Sequence, residues 1–125
     1  MSASKKEKTE STKVEQKRLS EQKRLANERA KQKRLANEKA FQQRQKEKHN
    51  LAIKLQQAGN ACIESISEPH YKRSAKDIRR QLFKITKQIN NTGRYTGSDL
   101  DGYMIDHYRQ IISIGSNDRS ANCHE

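Results

Sequence analysis

Tryptophan is absent from this chain, phenylalanine occurs twice, and aromatic residues make up only 5% of it. Ligand pockets of the usual enzymatic kind are lined by apolar and aromatic side chains, so this scarcity argues against a small-molecule enzyme. One proline and five glycines leave the helix-breaking residues rare, and no stretch alternates β-branched and polar residues in the manner of a strand. No apolar run reaches the length that crosses a membrane. The opening Met1 to Thr12 is a string of Ser, Lys, Glu and Thr without the apolar heart of a secretory signal, so the expected location is cytoplasmic. The two cysteines, Cys62 and Cys123, stand 61 positions apart and fit neither a zinc nor a disulfide framework. In the cytoplasm both are expected to remain reduced thiols.

Acidic residues are also in short supply. Twenty-seven Lys and Arg face fifteen Asp and Glu, a formal net charge of +12. A surplus of that size raises the local concentration of any polyanion, which makes nucleic acid, DNA or RNA, the expected partner. With 125 residues, 30% of them hydrophobic, there is material for one modest core and much solvated surface. The frequent Lys, Glu, Gln, Ala and Leu favour helix. The expected fold class is all-α: a long basic N-terminal helical arm followed by a small three-helix bundle.

The arm is built by repetition. Lys23 to Gln32 and Lys33 to Gln42 agree at eight of ten positions, and Lys17-Arg18-Leu19 opens a shorter copy upstream. Nearly every residue is a strong helix former, and pairs such as Glu15 with Arg18 or Arg24 with Glu28 have the spacing to interact along one helix. A ten-residue period carries successive leucines about 80° around a helix, so Leu19, Leu25 and Leu35 make no stripe. A coiled coil needs apolar positions kept over several heptads, which this segment does not keep. The expectation is a disordered 1–12, then a single solvated helix over 13–50. Its basic residues lie all around it, unlike those of a membrane-surface helix, so no membrane partner is expected.

From Leu51 the pattern changes. Leu51, Leu55, Ala58, Cys62 and Ile66 recur at helical spacing, and Gly59 among them marks a bend or a close helix contact. Pro69, with Ser67 or Glu68 as its cap, starts a second helix whose Ile78, Leu82, Ile85 and Ile89 form another stripe. Asn90 to Gly93 is a stop signal. Ser98 and Asp101 have capping-box spacing for a third helix over 99–114, burying Leu100, Met104, Ile111 and Ile112, with Ile105 and Tyr108 flanking. The three-helix bundle is therefore expected over 51–115 and a flexible tail over 116–125. A core of this size contributes only about 3–5 kcal/mol, which leaves a homodimer through the stripes open.

The second helix carries the chemistry. Arg73, Lys76, Arg79, Arg80, Lys84 and Lys87 turn away from its apolar stripe, and Phe83 points among them. Arginines offer bidentate contacts to phosphate, lysines point charges, and an aromatic among cations suits stacking on a base. Arg94 and Tyr95 in the following loop extend this surface. Lys23, Arg24, Arg29, Lys33 and Arg34 give the arm a second one. Residues 1–48 carry sixteen basic and seven acidic residues, whereas residues 95–125 carry two and five. The third helix is thus the candidate face for a protein partner rather than for an anion.

Catalytic groupings are lacking. His49, His70, His107 and His124 are scattered, and Asp99-Leu100-Asp101-Gly102 lacks the remaining ligands of a calcium loop, so neither a metal nor another cofactor is expected. The reading is a non-enzymatic nucleic-acid-binding protein. The alternative is a helical adaptor that oligomerises or docks on a protein.

Overall fold

The computed structural model describes residues 2–125, with side chains from Ser11 onward. It contains three helices, α1 (Ser2–Ser65), α2 (Pro69–Thr92) and α3 (Gly97–Gly115). Met1, which opens the segment expected to be disordered over 1–12, lies outside the described residues; the rest of that segment falls within the bounds of α1. No glycine or proline occurs before Gly59, so nothing in the covalent chain halts a helix there. Among the described residues no helix is long and apolar enough to cross a membrane.

The chain divides into two compact units, Met1–Gln42 and Gln43–Glu125. In the first, every described side chain from Ser11 to Gln42 is exposed, Val14, Leu19, Leu25, Leu35 and Phe41 included. This is what a ten-residue period without a stripe produces. The charge pairs expected along it, such as Glu15 with Arg18 and Arg24 with Glu28, do not close into ion pairs. Each would contribute only a few tenths of a kcal/mol, too little to immobilise two long side chains.

The second unit begins eight residues before the expected boundary at 51, because Lys48 and His49 already reach α3. Lys48 Nζ donates to Ser98 Oγ at 3.2 Å, and His49 Nδ1 lies 3.0 Å from a carboxylate oxygen of Asp101. The core gathers Leu55, Cys62 and Ile63 from α1, Ile66 from the turn that follows it, Ala75 and Leu82 from α2, and Tyr108, Ile111 and Ile112 from α3. Each buried aliphatic or aromatic side chain contributes about 1.5–3 kcal/mol relative to exposure.

The buried faces are shifted around the helices from their expected centres, although Leu55, Cys62, Ile66, Leu82, Ile89, Ile111 and Ile112 are buried as expected. Tyr108, expected to flank the core, is its largest fully buried side chain, only 1% exposed. The ring is admitted by Gly59, where a Cβ would overlap Tyr108 Cδ1 and come within 3.2 Å of Cγ. On α1 the buried face consequently moves to Ala52, Leu55, Gly59, Cys62 and Ile63, with Ile66 buried just beyond the helix, leaving Leu51 and Ala58 half-buried. On α2 it moves to Ala75, Leu82 and Ile89, leaving Ile78 and Ile85 half-buried, as are Leu100 and Met104 on α3. The stripes pack against one another within the chain.

The helix ends explain themselves locally. Glu68 caps α2, its Oε2 accepting from the Tyr71 N–H at 3.0 Å with Pro69 in the first turn. Gly93 ends α2 in the left-handed conformation, φ 60°, and its N–H donates to Ile89 O. The cap of α3 lies two residues earlier than expected: Asp99, not Asp101, reaches back, accepting from the Thr96 N–H at 2.8 Å and Oγ1–H at 2.9 Å. Those two bonds, the backbone one first, hold the Asp99 carboxyl below its ordinary pKa. Asp101 is instead buried, 7% exposed, against His49.

The segment 116–125, expected to be flexible, folds back over the turn between α1 and α2. Asp118 Oδ2 accepts from the Ser67 N–H at 2.9 Å and the Glu68 N–H at 3.1 Å, and Oδ1 accepts from Ser120 Oγ at 2.7 Å. Ser120, then these backbone donors, hold the Asp118 carboxyl well below the usual carboxylate range. Beyond it Asn122 N–H donates to Ser65 Oγ, and Arg109 Nε lies 2.7 Å from Glu125 Oε1. Cys123 and Cys62 form a disulfide rather than the two reduced thiols expected. Gly115 makes room for it, since a Cβ there would overlap both sulfurs.

Candidate nucleic-acid interface

On α2 the 3.6-residue repeat sets the functional side chains against the core by geometry alone. With Ala75, Leu82 and Ile89 inward, the side chains of Arg73, Lys76, Arg80, Phe83, Lys84 and Lys87 are all exposed on the other side. From Arg73 to Lys87 this row runs about 21 Å at 1.5 Å per residue. Its only acid is Asp77, whose Oδ1 lies 3.1 Å from Arg80 Nη1, with both side chains half or more exposed. An ion pair in that setting is worth at most about 1 kcal/mol and does not tie Arg80 down.

Arg79 differs from the group in which the sequence placed it. It is half-buried, and its Nη1 donates to Asn60 Oδ1 on α1 at 3.2 Å. The rotation of the α2 seam toward Ala75 is the cause, because Arg79 follows Ala75 by one turn. Its charge also acts on Tyr108, whose pKa is raised by burial and drawn back by Arg79 and by hydrogen bonds involving Asn60 and Gln56. Arg79 therefore ties α2 to Asn60 of α1 at the edge of the basic row.

Phe83 is 59% exposed. It stands between two depressions. On one side Lys76, Arg79, Arg80 and Phe83, neighbours on the surface of α2, border an open cationic furrow of about 210 Å³. On the other, Phe83, Ile53, Leu100, Met104 and Tyr108 line an apolar groove of about 320 Å³ floored by Leu82, with His49, Gln56, Thr86 and Asp101 as its polar groups. The groove is assembled from all three helices, and no feature of a single helical wheel announces it.

Arg94 and Tyr95 are exposed in the loop between α2 and α3. Lys23, Arg24, Arg29, Lys33 and Arg34 are exposed on α1 within the first unit, in the two successive copies of the ten-residue repeat. On α3 Asp99 is engaged at the cap and Asp101 with His49 on α1, while Asp106 is exposed. Among the described residues no three His, Cys, Asp or Glu side chains group in a way that could hold a metal ion. Compared with family models, curated proteins and solved structures, the chain matches none of them.

Proposed function

We propose that this protein binds nucleic acid by its phosphates, without catalysing a reaction, through the outer face of α2 and, as a second and separate surface, the basic repeats of α1. The observation that carries this reading is the exposed row of Arg73, Lys76, Arg80, Lys84 and Lys87, backed by a packed core and interrupted by a single acid. A helix that needed charge only for solubility would interleave Glu with Lys, as the arm does; this face does not. Arginines at 73 and 80 offer two-pronged contacts to phosphate oxygens, and the lysines supply point charges between them. Each contact releases condensed counterions, so binding is tolerant of sequence and weakens with salt. Five such contacts belong to the regime of non-specific dissociation constants of about 10⁻⁴ to 10⁻⁶ M at physiological salt.

The arm adds a surface of the same kind. Residues 13–42 span about 45 Å as a helix, with basic side chains around the full circumference, so a flexible or curved polyanion meets charge from any approach. The test is a fluorescence-anisotropy titration of the full chain with duplex DNA, single-stranded DNA and structured RNA at roughly physiological salt. Replacing Arg73, Lys76, Arg80 and Lys87 together by Gln should weaken all three while helix content and melting stay unchanged, since none of the four is buried. Absence of binding to every nucleic acid, or binding indifferent to the quadruple change, refutes the reading and favours a protein-docking adaptor.

A further inference from the structure

Phe83 separates a furrow suited to phosphate from a groove suited to something flat and apolar, and a nucleotide is a phosphate joined to such a group. We propose that the α2 face prefers single-stranded to duplex nucleic acid, with one unpaired base seated in the groove against Phe83 and a neighbouring phosphate held beside it by Lys76, Arg79 and Arg80. This deepens the phosphate-binding reading above and rests on it.

The groove has the composition such a site needs. Its walls are aliphatic and aromatic, and Gln56, Thr86 and the His49–Asp101 pair provide hydrogen-bonding groups along it. Its volume of about 320 Å³ is at the small end of ligand sites and admits one ring system rather than a large cofactor. Thr86 donates to its own helix at Leu82 O, 3.0 Å, leaving the hydroxyl oxygen as an acceptor. His49 Nδ1 is committed to Asp101, which leaves Nε2 for another partner. Cations stand one turn to either side of Phe83, Arg79 and Arg80 before it and Lys87 after it, so a strand running along α2 meets charge as it enters and leaves the groove. Duplex bases are stacked within the helix and offer no face to a side chain standing on a convex surface. Unpaired bases of DNA and RNA offer one alike, because stacking on an aromatic ring is tolerant of base identity.

The experiment measures affinity of the full chain for a single-stranded DNA, a single-stranded RNA, the corresponding DNA duplex and an abasic single strand that retains its phosphates. Phe83→Ala should weaken binding to both base-bearing single strands by about tenfold, the lower part of the range for one stacked base, and change duplex and abasic binding by less than about twofold. Phe83→Trp should retain the preference. Because Phe83 is exposed, neither change threatens the fold. An abasic strand that binds as tightly as its base-bearing counterpart, or a Phe83→Ala variant that binds every ligand as the natural chain does, overturns the base site while leaving the phosphate reading intact and assigns the groove to a protein segment. Failure of all four ligands to bind overturns both.

Discussion

Gly59 and Gly102 make opposite predictions for the same chemical change. Both are inside helices, where replacing Gly by Ala relieves a cost of about 1 kcal/mol. At Gly102 the new Cβ would sit 3.5 Å from Lys48 Nζ and 3.7 Å from its Cε, an ordinary contact with a flexible side chain, so the full gain should appear. At Gly59 it would overlap the ring of Tyr108, which is 1% exposed and packed on every side. Forcing atoms into a filled core costs about 1–3 kcal/mol, and the immobile ring places this site in the upper half of that range. The net effect of Gly59→Ala is a loss of about 1–2 kcal/mol, or roughly 5–15 °C in Tm for a unit of this size, against a gain of about 4–8 °C for Gly102→Ala. Tyrosine near-ultraviolet circular dichroism is the suitable probe, because all four tyrosines lie beyond residue 42 and the arm is invisible to it. If Gly59→Ala stabilises as Gly102→Ala does, Tyr108 does not close the bundle against α1, and the rotated seams derived from that contact are wrong.

Three further outcomes follow from the packing and the bonds. Leu82→Ala should cost about 2–4 kcal/mol in denaturant unfolding and Ile85→Ala, half-buried, clearly less; a loss at Phe83→Ala equal to that at Leu82→Ala would show that α2 is turned the other way. The Cys62–Cys123 bond closes a loop with a sequence separation of 61, for which the chain-entropy account assigns about 4 kcal/mol. Reductant should therefore lower the unfolding midpoint of the natural chain but not that of the Cys62→Ser, Cys123→Ser double variant; free thiols titrating in the unreduced, unfolded chain would contradict the bond. The depressed Asp118 carboxyl favours the charged form in the fold, so its contribution is present above the unfolded value near 3.9 and is lost as pH falls through the lower folded value. Asp118→Asn should be less stable than the natural chain at neutral pH, with the gap narrowing below about pH 4; a gap independent of pH would refute the clamp.

What could be read in the sequence was what repeats locally. Pro69 and Gly93 mark helix ends through backbone chemistry alone, and the 3.6-residue spacing on α2 puts its cations other than Arg79 away from Leu82 whatever the tertiary structure. The arm was legible for the same reason, since a period of ten cannot make a stripe. Apart from the cap of α3, displaced by two residues, the misses in the core and the tail are long-range. Tyr108 reads as a flanking residue because its hydroxyl makes it amphipathic, and only Gly59, 49 positions earlier, reveals the space for its ring. The Asp101–His49 and Cys62–Cys123 pairs join residues 52 and 61 apart, and they draw into the fold a carboxylate and a tail that look solvated in isolation. The disulfide also pulls against the cytoplasmic expectation, since cytosolic thiols are kept reduced. At the candidate interface the basic row was visible, while the groove beside Phe83 was not, because it takes three helices to line it.

The central claim, that exposed cations on α2 hold phosphates, is tested most directly by the salt dependence of binding to duplex DNA. Plotting log K against log salt for the natural chain and for the variant with Gln at 73, 76, 80 and 87 compares the number of counterions each releases. The slope should become shallower by up to about 3.6, at about 0.9 for each of four lost phosphate contacts, with affinity falling in parallel at every salt concentration. Two parallel lines, one merely displaced from the other or both coincident, would mean that these residues touch no phosphate.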